Sequence, residues 1–301
     1  MDSAKAAHAK GFLLTLFGVL VLTPDTLLLR LIPADAWSLV VWRGALQSSM
    51  LFAAFFAYRR AKALQEIRGL GRRGLLVALL YAANAISFVV AVEHTSVANV
   101  LVILAASPLF AALMSMIFLK EAVAKATWAA ILAGILGVAI VMGDSLSAGT
   151  GPGDLSALVT ALTLAGIFTV IRGSGGLNMI PATALGALIS ASIALPFAGL
   201  SAAALLSPPA ESLLYILLMG AVVMPLSFGL ITLGPRHVPA PEVALLMLLE
   251  TVLGPLWVWL GVGEEPPPAT FLGGAIVLGA VALHAAWRLS RRRAPAAPAA
   301  S

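Results

Sequence analysis

The sequence predicts an all-α integral membrane protein with ten transmembrane helices arranged as two inverted five-helix repeats. Three observations lead there. Of 301 residues, 61% are hydrophobic and only 10% are charged, where a soluble domain carries roughly 45–50% and about 25%; mean hydropathy is +1.03. The apolar residues form runs long enough to cross a bilayer, with the basic residues between them. And the chain matches itself at an offset of 143 residues.

A helix rises about 1.5 Å per residue, so a hydrocarbon core of about 30 Å takes roughly 20 residues. Runs of that size fall near 11–31, 36–58, 73–92, 96–118, 125–143, 153–171, 180–199, 211–233, 240–261 and 268–289. Turn chemistry separates them: Ile32-Pro33, Gly69-Leu70-Gly71, Gly149 to Gly153, Ser207-Pro208-Pro209 and Pro266-Pro267-Pro268. The runs are too long for the strands of an outer-membrane barrel and lack their period-2 alternation. The polar stretch Met1 to Lys10 leads into an apolar segment longer than a signal-peptide core, which reads as a retained first helix.

The net charge of +5 and pI near 10 do not point to nucleic acid, because the cations sit in short runs between apolar stretches, as orientation signals do. With the N-terminus inside, 16 of the 18 Lys and Arg fall on the inner side, from Lys5 and Lys10 through the cluster at 59–73 to Arg288 and Arg291–Arg293. Arg30 alone lies outside and Arg43 lies within a span. The expected partner is the lipid bilayer, with both termini cytoplasmic in a cell (inner) membrane. The chain has no cysteine, which excludes disulfides, thiolate metal sites and cysteine nucleophiles.

At the 143-residue offset His94 matches His237, Val100 matches Val243, Glu121 matches Glu264, and Ala126-Thr127 matches Ala269-Thr270; earlier in each half, at a different offset, Ile32-Pro33-Ala34 recurs as Ile180-Pro181-Ala182. Residues 1–145 and 146–290 are read as the two repeats and 291–301 as a basic, Ala/Pro-rich tail. Five crossings per copy is an odd number, so the second copy enters from the opposite side. Antiparallel repeats of this kind underlie many secondary transporters.

The stretch His94 to Asn99, then Leu104-Ala-Ala-Ser107-Pro108-Leu109-Phe110 and Phe118-Leu-Lys120-Glu121, resembles the EamA signature, echoed by His237-Val-Pro-Ala, Leu248-Leu-Glu250-Thr and Gly261-Val-Gly263-Glu264. EamA is the repeat unit of the drug/metabolite transporter superfamily. The resemblance implies a ten-helix basket around a central cavity, and its members include amino-acid exporters of the YddG kind. Where the second repeat usually reads Leu-Glu-Pro, this chain has Leu249-Glu250-Thr251, with a proline only at Pro255, which displaces any hinge there.

A charge near mid-bilayer costs about 2.5–3.5 kcal/mol on insertion scales, so the intramembrane residues Asp25, Arg43, Glu242 and Glu250 call for partners or functions. Asp25 and Arg43 lie at matched depths of roughly 9 and 10 Å below the outer side, which fits an ion pair, either a helix lock or a gate. Glu250 and its repeat counterpart Ser107 lie near the midplane, where inverted-repeat carriers bind solute. Tyr81, Asn84, Asn99 and Trp257 join them as cavity candidates, though polar side chains in lipid equally serve as glue between helices. Glu242, near the end of helix 9, is expected to reach water. Pro24, Pro108, Pro225 and Pro255 are hinge candidates. Helices 5 and 10, with Ala130/Gly134 and Ala275/Gly279, read as packing scaffold.

No catalytic signature, P-loop or metal-ligand spacing appears in the sequence. The expectation is therefore a non-enzyme without metal or cofactor. It is a secondary transporter or facilitator exporting a small-molecule substrate, first a neutral or aromatic amino acid or similar metabolite, by alternating access. Two alternatives stand beside it: a proton-coupled exporter of lipophilic cations or drugs with Glu250 as the exchanged site, and a membrane-embedded enzyme or lipid-handling protein.

Overall fold

A computed structural model describes residues 2–95, 97–142, 151–199, 208, 210–263, 265 and 268–290. Among them every regular element is helical and no strand occurs. The helices are α1 (Asp2–Leu22), α2 (Asp25–Leu31), α3 (Ala36–Arg59), α4 (Ala63–His94), α5 (Val97–Leu104), α6 (Ser107–Met114), α7 (Lys125–Met142), α8 (Pro152–Gly173), α9 (Ile180–Ala194), α10 (Ala210–Leu217), α11 (Met224–Leu233), α12 (Ala240–Val262) and α13 (Pro268–Ser290).

Eight stretches of the described residues are long and apolar enough to cross a membrane. One of them, Ala36–His94, runs for 59 residues and is broken by positive-φ residues at Arg60 (φ 46°) and Gly71 (φ 51°). The apolar helix Lys125–Ile140 is shorter than the rest.

Several spans are interrupted, and each interruption has a chemical cause. Pro24 has no N–H to give to the carbonyl of Leu20, and the Thr23 hydroxyl donates to that carbonyl instead, at 2.8 Å. In lipid no water can do this, so a neighbouring hydroxyl must. The α5/α6 break falls just before Pro108, and π-helical turns at Ser115–Leu119 and Leu218–Val223 extend α6 and precede α11, whose second residue is Pro225. At the opening of α3, Asp35 caps the first turn by accepting from the Ser38 N–H at 2.9 Å and the Ser38 hydroxyl at 2.6 Å.

The contacts between halves come in matched pairs. Helices α3 and α9 pack together, as do α7 and α13; α4 against α8 is mirrored by α11 against α1, and α6 against α8 by α12 against α1 and α2. The seam between α7 and α13 uses different small residues from those expected. Gly279 faces open space and Ala275 is exposed; Gly137 instead lies against the backbone carbonyl of Gly273, which a Cβ at 137 would meet at 2.8 Å. The register is shifted because both faces of these helices are apolar, so spacing alone does not say which face packs.

Gly137→Leu should therefore destabilise the protein by about 1–3 kcal/mol, read as a lower thermal unfolding midpoint in detergent, whereas Gly279→Leu should leave it unchanged. Asp35 gives a second check. Burial pushes its carboxyl up, but the hydrogen bonds from Ser38 and the Gly199 backbone outweigh this and hold it below the usual carboxylate range. The cap is complete above the unfolded-state value and is lost as pH falls through the lower folded-state value, so Asp35→Asn should flatten acid destabilisation in that window.

Candidate functional site

Asp25 opens α2 immediately after the Pro24 break, and Arg43 lies two turns into α3. Arg43 Nη2 donates to Asp25 Oδ2 at 2.7 Å and reaches Met224 Sδ of α11 at 3.3 Å. The Asp25 side chain is only 4% exposed and that of Arg43 is 21% exposed. Asp25 Oδ1 is buried and has no hydrogen-bond partner among the described residues. One turn beyond Arg43, Gln47 meets the buried Tyr81 of α4, amide to hydroxyl, at 2.9 Å. The Tyr81 ring stands edge-on to Phe228 of α11, centroids 5.4 Å apart.

Glu250, on α12, lies within electrostatic range of both Asp25 and Arg43. Its side chain is partly exposed and makes no hydrogen bond or ion pair among the described residues. The approach of α12 to α2 depends on Gly254, one turn beyond Glu250: a Cβ there would sit 2.8 Å from Thr26 Oγ1. Trp257 continues this seam. Its indole N–H donates to Thr23 Oγ1 at 2.9 Å, and Thr23 in turn donates to the Leu20 carbonyl, so the indole braces the Pro24 break. Five elements, α2, α3, α4, α11 and α12, thus converge on two carboxylates, one guanidinium, a phenol and an amide.

The other candidates fall elsewhere. Ser107 is buried at the start of α6, which packs on α12. Asn84 donates to the Thr160 carbonyl at 2.8 Å and Thr163 Oγ1 at 3.2 Å, tying α4 to α8. Asn99 belongs to α5, but its side chain lies outside the described residues. Pro24, Pro108 and Pro225 stand at interruptions, while α12 runs unbroken through Pro255. Glu242 does not reach water: it is 1% exposed, because α12 begins under the packed ends of its neighbours.

A second polar region occupies the face where Lys10, Arg172, Arg236 and His237 gather. The His237 imidazole is held below its usual value there by burial and then by those three cations. Arg172 Nε pairs with Glu121 Oε1 at 2.9 Å across the two halves, and both line a cavity of about 340 Å³ with Ser115, Thr127 and Glu242. Gln47, Met224 and the Glu121–Arg172 pair were not singled out from sequence. The i, i+4 spacing of Arg43 and Gln47 places them on one helix face and was the available signal.

Residues 9–143 and 151–285 each match the EamA-like transporter family. The chain belongs to that family. This EamA-like chain is thus a multi-pass membrane protein built of two copies of one unit, and the family consists of transporters rather than enzymes. A solved structure described only as a crystal structure of a protein shares the fold: TM-score 0.77, 18% identity, 95% of this chain and all of that one covered. No curated protein matches the sequence closely enough to count as a relative.

Removing one partner of a buried ion pair strands the other, at about 3–5 kcal/mol. Arg43→Ala should lower thermal stability in detergent on that scale, and the double change Asp25→Asn with Arg43→Gln should recover much of it. Equal losses in the single and double variants would show that the two charges do not depend on each other.

Proposed function

We propose that this EamA-like protein exports small amphipathic solutes, neutral or aromatic amino acids first, by alternating access between two inverted five-helix repeats. The observation that carries the reading is the charge count at the centre: two carboxylates, Asp25 and Glu250, beside one guanidinium, Arg43. Asp25 and Arg43 neutralise one another. Glu250 adds a second carboxyl, which when ionised leaves one negative charge to match, as an ammonium group does. Arg43 makes its described bonds through Nη2 alone, so its other N–H groups remain for a carboxylate, which Arg recognises in its planar fork. Tyr81, Phe228 and Trp257 border the region with aromatic surface for an apolar side chain. The carboxylate of the solute is what separates this reading from a cation exporter: a lipophilic cation has no use for Arg43.

The ten-helix count follows if Ala36–His94 is two crossings broken at Arg60 and Gly71 and if α7 also crosses. The matched contacts between halves support inversion of the second copy. The gathering of cations on one face supports placing that face, and both termini, in the cytoplasm. Under this scheme the repeats are 1–145 and 146–290, and the breaks at Pro24, Pro108 and Pro225 are where helices flex.

Proteoliposomes loaded with labelled neutral and aromatic amino acids should show protein-dependent flux. A charge-assisted hydrogen bond contributes about 1.5–3 kcal/mol, so Glu250→Gln should reduce flux or affinity roughly 10- to 100-fold. Absence of flux for every amino acid tested would remove this substrate class, and undiminished flux in Glu250→Gln would remove the role of Glu250. Reporter fusions after residues 120 and 263 should emerge on opposite faces of the membrane; emergence on one face would end the inverted scheme.

A further inference from the structure

Orientation in a membrane asks only that the cations of residues 59–73 be present; the backbone that carries them is more elaborate. Between the left-handed residues Arg60 and Gly71 the chain forms a short helical segment, set off from α3 on one side and from the rest of α4 on the other. An arginine at φ 46° is uncommon, because a side chain crowds the backbone there. Within the segment Ala63 and Leu70 are buried and Ile67 is half-buried, at helical spacing, while Lys62, Leu64, Gln65 and Arg68 are exposed. Its one acid, Glu66, is taken by Arg59 at 3.1 Å. Arg60, Lys62, Arg68, Arg72 and Arg73 are all exposed, and none of them makes a hydrogen bond or ion pair among the described residues.

We propose that this segment and the first turn of α4 after it bind the headgroup of an anionic phospholipid. Two features choose the ligand. The first is charge. Unmatched cations at a membrane surface attract lipids of net negative headgroup, each cation contributing roughly fivefold to binding, and the arginine fork pairs with phosphate oxygens. The second is what lies beneath the cations. Leu75, Leu76 and Leu79 follow Arg72 and Arg73 along α4 and are exposed. Leu76 stands one helical turn from both arginines, at i+4 from Arg72 and i+3 from Arg73, so cations and leucines share one face. Tyr58, exposed at the end of α3 with the Arg59 guanidinium 5.4 Å from its ring centre, marks the same level, since such rings sit among headgroups. Cations above an apolar strip match a phospholipid, phosphate above and acyl chain below. A free anion, a nucleic acid or an acidic protein would leave the strip uncovered.

The bound lipid has a structural consequence. Helix α4 packs on α8 and α9 of the second half, so a lipid held where α4 meets the membrane surface steadies the contact between the halves. Arg236 lies within electrostatic range of Arg59 and Glu66 and adds to the positive side of the balance. Orientation by charge and recognition of a headgroup make different demands: the first counts cations on a loop, the second needs them held together over exposed apolar surface. The lipid surface does not depend on the amino-acid reading, and a failure of all amino-acid flux would leave it standing.

The chain has no cysteine, so Leu76→Cys carrying a small fluorophore places one reporter a turn below the arginines. The labelled full-length protein is put in nanodiscs of phosphatidylcholine with a minor fraction of phosphatidylglycerol, a nitroxide quencher being attached to the acyl chain of one lipid or the other. Quenching should show phosphatidylglycerol enriched about tenfold or more at the reporter over its share of the bilayer. Changing Arg68, Arg72 and Arg73 together to Gln should return quenching to the bulk ratio. Lys120→Gln with Lys125→Gln, which removes exposed cations beside the 340 Å³ cavity instead, should leave the enrichment in place. If the triple variant does not fold, Arg72→Gln alone serves, with an expected loss of about fivefold; undiminished enrichment in either variant would overturn the proposal. So would quenching at the bulk ratio in the unsubstituted patch, since no headgroup is then preferred. An equal loss in the lysine control would show that the charge acts from anywhere on the face. Abolition of the enrichment by inorganic phosphate at constant ionic strength would assign the cations to a free anion, and either result ends the lipid assignment.

Discussion

Lipid supplies no counter-charge, so an ionised side chain within the membrane must find one on another helix. The contact between Arg43 and Asp25 at 2.7 Å meets that requirement, and much of the architecture around it follows from holding the two groups there. Asp25 can face Arg43 because α1 stops at Thr23-Pro24 and the chain restarts as α2. That stop is tolerable because the Thr23 hydroxyl takes over the Leu20 carbonyl and the Trp257 indole holds the hydroxyl. Trp257 reaches it only because α12 approaches α2 at Gly254. The same approach brings Glu250 within electrostatic range of the pair. A chain of local necessities thus runs from one proline to the placement of three ionisable groups.

Helix α12 links this centre to the basic face. Glu242 and Glu250 are eight residues apart on it, about 12 Å along the axis, and the helix is unbroken between them. One acid lies by the Asp25–Arg43 pair and the other lines the cavity shared with Glu121 and Arg172. A displacement of α12 moves both acids together. Groups on α1 and α2, which are separated by a break, have no such rigid connection. The two halves of the molecule therefore differ mechanically at the helices that carry their charges.

What the sequence revealed was depth, and what it hid was azimuth. Counting residues from the ends of runs placed Asp25 and Arg43 at one level, and the structure joins them. The same counting gave no direction around each helix. In a soluble protein polar residues mark the outward face, but here lipid-facing Leu13, Phe17 and Leu20 on α1 are as apolar as the buried Val19 and Leu22. Hence Asn84, correctly placed within its helix, turns out to bind α8, and the α7–α13 seam is carried by Gly137 and Gly273 rather than Gly279. Glu242 was misjudged for a related reason: a helix end signals water only if nothing covers it, and α1 and α13 do.

One difference between the repeats was legible in a single position. At the 143-residue offset Pro108 corresponds to Thr251. Pro108 removes an amide, and the helix containing it is divided into α5 and α6 just before that point. Thr251 keeps its amide and its hydroxyl donates back to the Leu248 carbonyl at 2.7 Å, so α12 continues from Ala240 to Val262. Pro255, one turn later, does not interrupt it. The residues just before this position are Ser107 in the first copy and Glu250 in the second. The ionisable group thus stands on the copy whose backbone is continuous, and the neutral hydroxyl on the copy that is divided. A carboxylate poised beside an existing ion pair needs a fixed position, because small displacements change its electrostatic energy steeply; a hydroxyl does not. The loss of proline at 251 and the presence of the acid at 250 are, on this argument, two parts of one arrangement.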